Sequence, residues 1–224
     1  MSAPKERPIG FDQAMLRAIF QDAKTQTRRP IKRLNGFGPI ADFRATGKGG
    51  VLWNFDDKCH IGRCIDYTDL LTRCPYGQPG GRLWVKESFW GCDMPGYGDI
   101  ACVVYDDEWR GKEYSPKSIR PYARKFGRLS AQQMPREASR ITLEIIDVRV
   151  ELLQSITELD ARAEGVADGG CLNCGNHEPC QCNAPLPSAR DGFIGLWGTL
   201  YGRDSWLENP YIWVIKFKRV EQDK

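Results

Sequence analysis

No apolar run in this chain approaches the roughly 20 residues needed to span a bilayer, so nothing in it reads as a transmembrane helix. Residues 1–8 are polar and carry both charge signs, which argues against a secretory signal and leads us to expect a cytoplasmic protein. Internal repeats and low-complexity tracts are absent as well. The net charge is only +3, too small to announce nucleic-acid binding, so local clusters carry more information than the total. A disulfide scaffold is disfavoured too. The nine cysteines are an odd number, and in a reducing compartment closely spaced cysteines more often hold metal.

What is present suits one soluble globular domain. At 224 residues, with 41% hydrophobic and 27% charged side chains, the chain is long enough to bury a real core. Its most concentrated feature is Lys24-Thr25-Gln26-Thr27-Arg28-Arg29-Pro30, followed by Lys32 and Arg33. Five cations fall within ten residues there, with no acid among them. A lysine beside a hydroxyl can be a base beside a nucleophile, and clustered arginines suit a phosphate or a polarised carbonyl. The plainer alternative is a solvated loop at the end of a helix. In an extended strand Lys24 and Thr27 point to opposite faces, so a site using both requires a bend between them.

Residues 11–20 place Phe11, Ala14, Met15, Ala18 and Ile19 at helical spacing, with Asp12 as N-cap. Residues 34–81 read as irregular, punctuated by glycine and proline. Strands are expected over Arg82–Phe89 and Ala101–Tyr105, with the rest of 91–133 in long loops. Along 141–150, Ile141, Leu143 and Ile145 alternate with polar residues, and Ile146, Val148 and Val150 then alternate in the opposite phase. That slip predicts a bulge or sharp bend. Thr157-Glu158-Leu159-Asp160 starts a short helix that Gly165 stops, with Glu164 in its last turn. Tyr211–Val220 is the closing strand. Several strands with two or three short helices make an α+β arrangement around a small barrel.

Taken together, these landmarks resemble the ASCH family, a branch of the PUA-like β-barrels, and especially its phage and prophage members. The matching residues are Lys24-Thr25-Gln26-Thr27-Arg28-Arg29, Cys74-Pro75-Tyr76-Gly77, Leu83-Trp84-Val85-Lys86-Glu87, Met134-Pro135-Arg136, Ala138 to Leu143, Ile156 to Gly165 and Asn209 to Val214. They span nearly the whole chain, residues 1–224, as a single PUA-like domain with flanking short helices and long loop insertions. For a phage-encoded chain the compartment is the host cytoplasm. The family includes an N4-acetylcytidine amidohydrolase, similar to this chain only at the basic stretch and the Glu164 helix. That similarity implies Lys24 as base, Thr27 as nucleophile and Glu164 as acid. Asp22-Ala23 stands where family members commonly carry glycine. Aspartate tolerates a left-handed backbone better than most residues, which preserves the turn.

The implied reaction is hydrolysis of an acyl amide on cytosine. Burial of Lys24 beside Arg28 or Arg29 would favour its neutral amine, and Arg29 would stabilise the oxyanion. A helix C-terminus around Glu164 suits an acid that delivers a proton to the leaving nitrogen. Arg28, Arg29, Lys86, Glu87 and Trp90 are the candidate substrate-binding residues, with Trp90 and Trp109 at a pocket rim and the other aromatics mostly core. Each has a plainer alternative: Glu164 as an exposed helix residue, Thr27 as a strand former, Lys24 as a phosphate contact. An insert at about 168–190 carries Cys171, Cys174, Cys180 and Cys182 around His177. Four thiolates in twelve residues suit a closed, structural zinc site. The expected partner is a modified nucleoside or single-stranded RNA. The rival functions are a non-catalytic RNA- or modified-base-binding module, a single-strand ribonuclease and a phage assembly accessory.

Overall fold

The computed structural model describes residues 4–31, 34, 42–45, 51–54, 64–93, 101–106, 112–114, 127–166 and 189–220. Its strands are β1 (Glu6–Gly10), β2 (Gln26–Pro30), β3 (Asp42–Ala45), β4 (Val51–Asn54), β5 (Cys64–Asp66), β6 (Arg82–Lys86), β7 (Phe89–Asp93), β8 (Ala101–Tyr105), β9 (Lys112–Tyr114), β10 (Gly127–Leu129), β11 (Thr142–Leu152) and β12 (Tyr211–Val220). Its helices are α1 (Gln13–Phe20), α2 (Tyr67–Thr72), α3 (Glu158–Ala163), α4 (Ala189–Tyr201) and α5 (Asp204–Leu207). The protein is a mixed α+β structure, as expected. No described helix is long and apolar enough to cross a membrane.

Two compact units divide the chain. The first comprises Met1–Arg17, Gly81–Glu144 and Arg219–Lys224. Within it β1 runs parallel to β6, from Glu6 opposite Arg82 to Gly10 opposite Lys86. The first residues of β11 lie antiparallel to β6, with Thr142 opposite Trp84. A separate sheet has the order β10-β7-β8-β9. One of its faces contributes Phe89, Val103, Tyr105 and Leu129 to a core closed by Met134 and Ala138. β1 escapes a sequence reading because Pro8 cannot donate to a ladder. It is tolerated because β1 is an edge strand.

The second unit comprises Ala18–Gly80 and Ile145–Lys218. β2 and β12 pair antiparallel, with Ile215 opposite Thr27 and Trp213 opposite Arg29. β3, β4 and β5 form a small sheet of their own. With α2, they correct the expectation that residues 34–81 are irregular. Asp66 caps α2 by accepting from the Thr68 N–H at 2.7 Å, a signal hidden among the glycine-rich turns. The core gathers Leu153, Ile156, Ala161, Ala189, Phe193, Trp197, Ile212 and Val214.

α4 is the longest helix among the described residues and the least expected. Gly192, Gly195 and Gly198 recur every third residue in it, each costing up to about 1 kcal/mol of helix propensity. Ala189, Phe193 and Trp197 are spaced by four and all buried, so burial of one stripe outweighs propensity. Two strand expectations also shift. Residues 82–89 break into β6 and β7 at Glu87-Ser88. In β11 the inward phase passes from Ile141, Leu143 and Ile145 to Val148 and Val150, while Ile146 is exposed. The slip therefore falls just after Ile146.

Candidate functional site

The basic stretch is positioned by the end of α1. Asp12 caps the start of that helix, accepting from the Met15 N–H at 2.8 Å. At the other end the Ala23 and Lys24 N–H groups both donate to the Ala18 carbonyl, at 2.9 and 3.0 Å. Asp22 takes the left-handed conformation this reversal needs, at φ 55°, which bears out the expectation for that position. Lys24 then pairs with Glu164 in an isolated antiparallel bridge. The Thr25 N–H donates to the Ala163 carbonyl at 2.9 Å, and the Thr25 carbonyl accepts from Phe217 at 2.8 Å.

Glu164 arrives from α3, which begins as its sequence foretold. Thr157 accepts from the Asp160 N–H at 3.2 Å, and Glu164 is the C-cap residue. Gly165 follows at φ 81°. A Cβ there would meet the Cβ of Ala18 at 2.8 Å and that of Lys24 at 3.0 Å. Glycine thus lets the helix end lie directly against Lys24.

The Lys24 ammonium donates to the Glu164 carbonyl oxygen and to its Oε2, both at 2.8 Å. The lysine side chain is 0% exposed and the glutamate 4%. Arg28 lies alongside, with Nη1 3.4 Å from Glu164 Oε1 and Nη2 3.2 Å from both Glu151 Oε2 and Asp160 Oδ2. Its guanidinium carbon stands 5.9 Å from the Phe193 ring centroid. Arg149 completes the cluster, donating to Asp160 Oδ1 at 3.1 Å and Gln26 Oε1 at 3.2 Å. Burial pushes the Asp160 carboxyl up, but Arg28 and Arg149, with Gln26 and Thr157, hold it below its usual value. Lys24, Arg28 and Arg149 thereby face Glu151, Asp160 and Glu164, with the more exposed Asp147 3.7 Å from Arg149 at the edge.

Lys24, Arg28 and Glu164, separated by up to 140 residues in sequence, therefore meet. Thr27 does not join them. Gln26 and Arg28 turn toward the carboxylates, so the pleat of β2 sends Thr27 and Arg29 to the reverse face. Thr27 is buried there opposite Ile215, and half-buried Arg29 is opposite Trp213. On that side Tyr76 has its hydroxyl pKa raised by burial against an opposing pull from Arg29. Lys24 is buried, and its direct contact is the Glu164 carboxylate, whose other oxygen Arg28 approaches at 3.4 Å.

Lys86, Glu87 and Trp90 belong to the other compact unit. Lys86 donates to the Gln132 carbonyl at 2.6 Å. Glu87 is fully buried, and Arg140 grips both of its oxygens at 2.9 and 2.8 Å. It closes an internal ion pair instead of lining a rim. Trp90 is 44% exposed. Cys171, Cys174, Cys180, Cys182, His177 and Trp109 lie outside the described residues. Arg149, Glu151 and Asp160 were not singled out as site residues in the sequence. The signal was there: Asp147, Arg149 and Glu151 alternate with buried Val148 and Val150 along β11. A cavity of about 500 Å³ between α4 and α5 is lined by Ile194, Gly195, Gly198, Thr199, Arg203, Trp206 and Leu207, none of them in the charged cluster. No family model, no curated protein and no solved structure matches this chain.

Proposed function

We propose that this chain is an ASCH-type protein with a PUA-like barrel, directed at a nucleobase, that removes the acyl group from an N4-acylated cytidine. One observation carries this: the buried 2.8 Å contact between Lys24 Nζ and Glu164 Oε2. Transfer of one proton along that hydrogen bond turns an ammonium–carboxylate pair into an amine and a carboxylic acid. These are the base and the acid that amide hydrolysis needs. The Thr27 hydroxyl attacks the acyl carbonyl and gives its proton to the Lys24 amine. The C–N bond breaks, and Glu164 protonates the departing cytosine nitrogen. Water then cleaves the threonyl ester, releasing the carboxylic acid and restoring Thr27.

Thr27 must reach the Lys24 face for this to proceed, so the Lys24–Thr27 segment has to turn when substrate binds. Purified wild type, Thr27→Ala and Thr27→Ser incubated with a series of N4-acylated cytidines test it, with released cytidine measured by chromatography. Turnover by wild type, a loss of 100-fold or more in Thr27→Ala and partial activity in Thr27→Ser are expected. Absence of turnover by folded wild type across the acyl series refutes the hydrolase.

A non-catalytic base-binding module is the second possibility. The pleat that separates Thr27 from Lys24 favours it, as does the engagement of Lys24 Nζ with two acceptors of Glu164. It predicts nucleoside binding without turnover. It also predicts loss of affinity in Arg29→Ala, because Arg28 is committed to three carboxylates.

A further inference from the structure

Packing accounts for only one of the three glycines spaced along α4. A Cβ on Gly192 would meet Val166 Cγ1 at 2.6 Å, so glycine there lets the chain after α3 approach the helix. A Cβ on Gly195 would meet nothing within 4 Å, and one on Gly198 would make ordinary contacts of 3.8 Å with Arg203. Both lie inside the helix without a positive φ, where alanine is the better residue. What Gly195 and Gly198 share is the cavity of about 500 Å³ between α4 and α5, which both line. Bare backbone there keeps open a space that side chains would fill, and it lets a flat group lie close against the helix.

The other lining residues divide by chemistry. Ile194, Trp206 and Leu207 are apolar. Trp206 is held from several sides. Phe193 meets its ring near edge-on with centroids 6.4 Å apart, the Arg190 guanidinium carbon stands 5.6 Å from its centroid, and Gln154 Nε2 donates to its carbonyl at 2.8 Å. The turn between the two helices is tied as well. Trp197 Nε1 donates to Ser205 Oγ at 2.9 Å, and that hydroxyl donates to the Gly202 carbonyl at 2.6 Å. Walls fixed in this way leave little ordering entropy to lose on binding. Two lining side chains are polar. The Thr199 hydroxyl already donates to the Gly195 carbonyl at 3.0 Å. The exposed Arg203 side chain makes no hydrogen bond or ion pair among the described residues. It is the one charged group of the lining, since neighbouring Asp204 and Glu208 take no part in it. Apolar walls with one charged donor, in a cavity of this volume, are the usual make-up of a small-molecule site. The planar fork of arginine matches a carboxylate.

We infer that the cavity between α4 and α5 binds a small carboxylate carried on a flat apolar ring, the ring against Gly195, Gly198 and Trp206 and the carboxylate on Arg203. It rests on no step at Lys24. Calorimetric titration of the full chain with benzoate, cinnamate and 2-naphthoate tests it, with 2-naphthalenemethanol as the uncharged control. Saturable binding of at least one acid is expected, with a preference of tenfold or more for 2-naphthoate over the alcohol. Arg203→Gln should erase that preference. Gly195→Leu places a side chain in the open space and should weaken acid binding tenfold or more. Gly195→Ala should raise the melting temperature by about 2–4 °C, because helix propensity improves and no contact is lost.

A crevice left over from helix packing predicts otherwise. None of the three acids then binds at millimolar concentration, or binding persists undiminished in Gly195→Leu, and either result overturns the proposal. So does a wild type without preference for the acid, or a preference that survives Arg203→Gln. A lower melting temperature in Gly195→Ala would also overturn it, because the glycine would then serve packing and not an open cavity.

Discussion

Lys24→Met is the most informative perturbation of the buried cluster. Methionine keeps an unbranched side chain, one atom shorter than lysine, and removes the charge and its donors. Glu164 then loses both 2.8 Å contacts, to its carbonyl and to Oε2, and keeps the longer 3.4 Å contact from Arg28. Arg28 and Arg149 remain as the cations of the cluster, facing Glu151, Asp160 and Glu164 with Asp147 at the edge. Breaking one partner out of a buried pair costs about 3–5 kcal/mol, because the charge left behind loses its nearest counter-charge. In a chain of this size each kcal/mol lowers the melting temperature by about 2–4 °C, so a drop of about 6–20 °C is expected. Calorimetry or circular dichroism at neutral pH measures it, with urea titration as a check that the transition stays two-state. The double variant Lys24→Met/Glu164→Leu should regain most of the loss, since an apolar pair of similar volume replaces a buried ion pair at little cost. A single variant melting within about 2 °C of wild type would refute the reasoning, because a dry carboxylate left with only the longer Arg28 contact cannot be that cheap.

Other outcomes follow from the same geometry. Gly165→Ala adds a Cβ at a φ of 81° that meets Ala18 at 2.8 Å and Lys24 at 3.0 Å, and should destabilise by about 1–3 kcal/mol in urea unfolding. The Asp160 carboxyl has a pKa held below its usual value in the folded state, so its contribution is complete above the unfolded value of about 3.9 and is lost as pH falls through the folded one. Asp160→Asn should therefore flatten the loss of stability in titrations below about pH 4. The four cysteines 171, 174, 180 and 182 predict one zinc per chain by elemental analysis, and chelation should release it. Less than half an equivalent in protein purified under reducing conditions would remove the zinc site from consideration.

Much of the local structure is written in short-range signals. Asp12 announces a helix start because its side chain reaches an N–H three residues away, and Thr157 does the same for α3. Gly165 announces a stop because only glycine takes its conformation at no cost. β12 is recognised at its observed ends because the apolar run Tyr211–Ile215 continues into an alternation that keeps Trp213, Ile215 and Phe217 in one phase. α4 is hidden for the converse reason. Its glycines contradict its state locally, and burial of Phe193 and Trp197 in a core of distant residues decides the matter. β1 is hidden by Pro8, whose cost vanishes only once the strand is known to lie at an edge.

The candidate site divides along the same line. Residue types and local turns are set by the sequence alone: a basic stretch after a short helix, an acid at a helix end, a left-handed Asp22 between them. Which groups meet was decided by tertiary structure. Lys24 and Glu164 touch across 140 residues because the strand after α1 bridges the end of α3. Arg149 and Glu151 enter the cluster because a phase slip in β11 turns them toward Arg28 and Asp160. Thr27 is carried to the other side of β2 by the period of two of an extended strand. Local propensity acts over a few residues, whereas the charge around a buried group is set by whatever the fold packs against it.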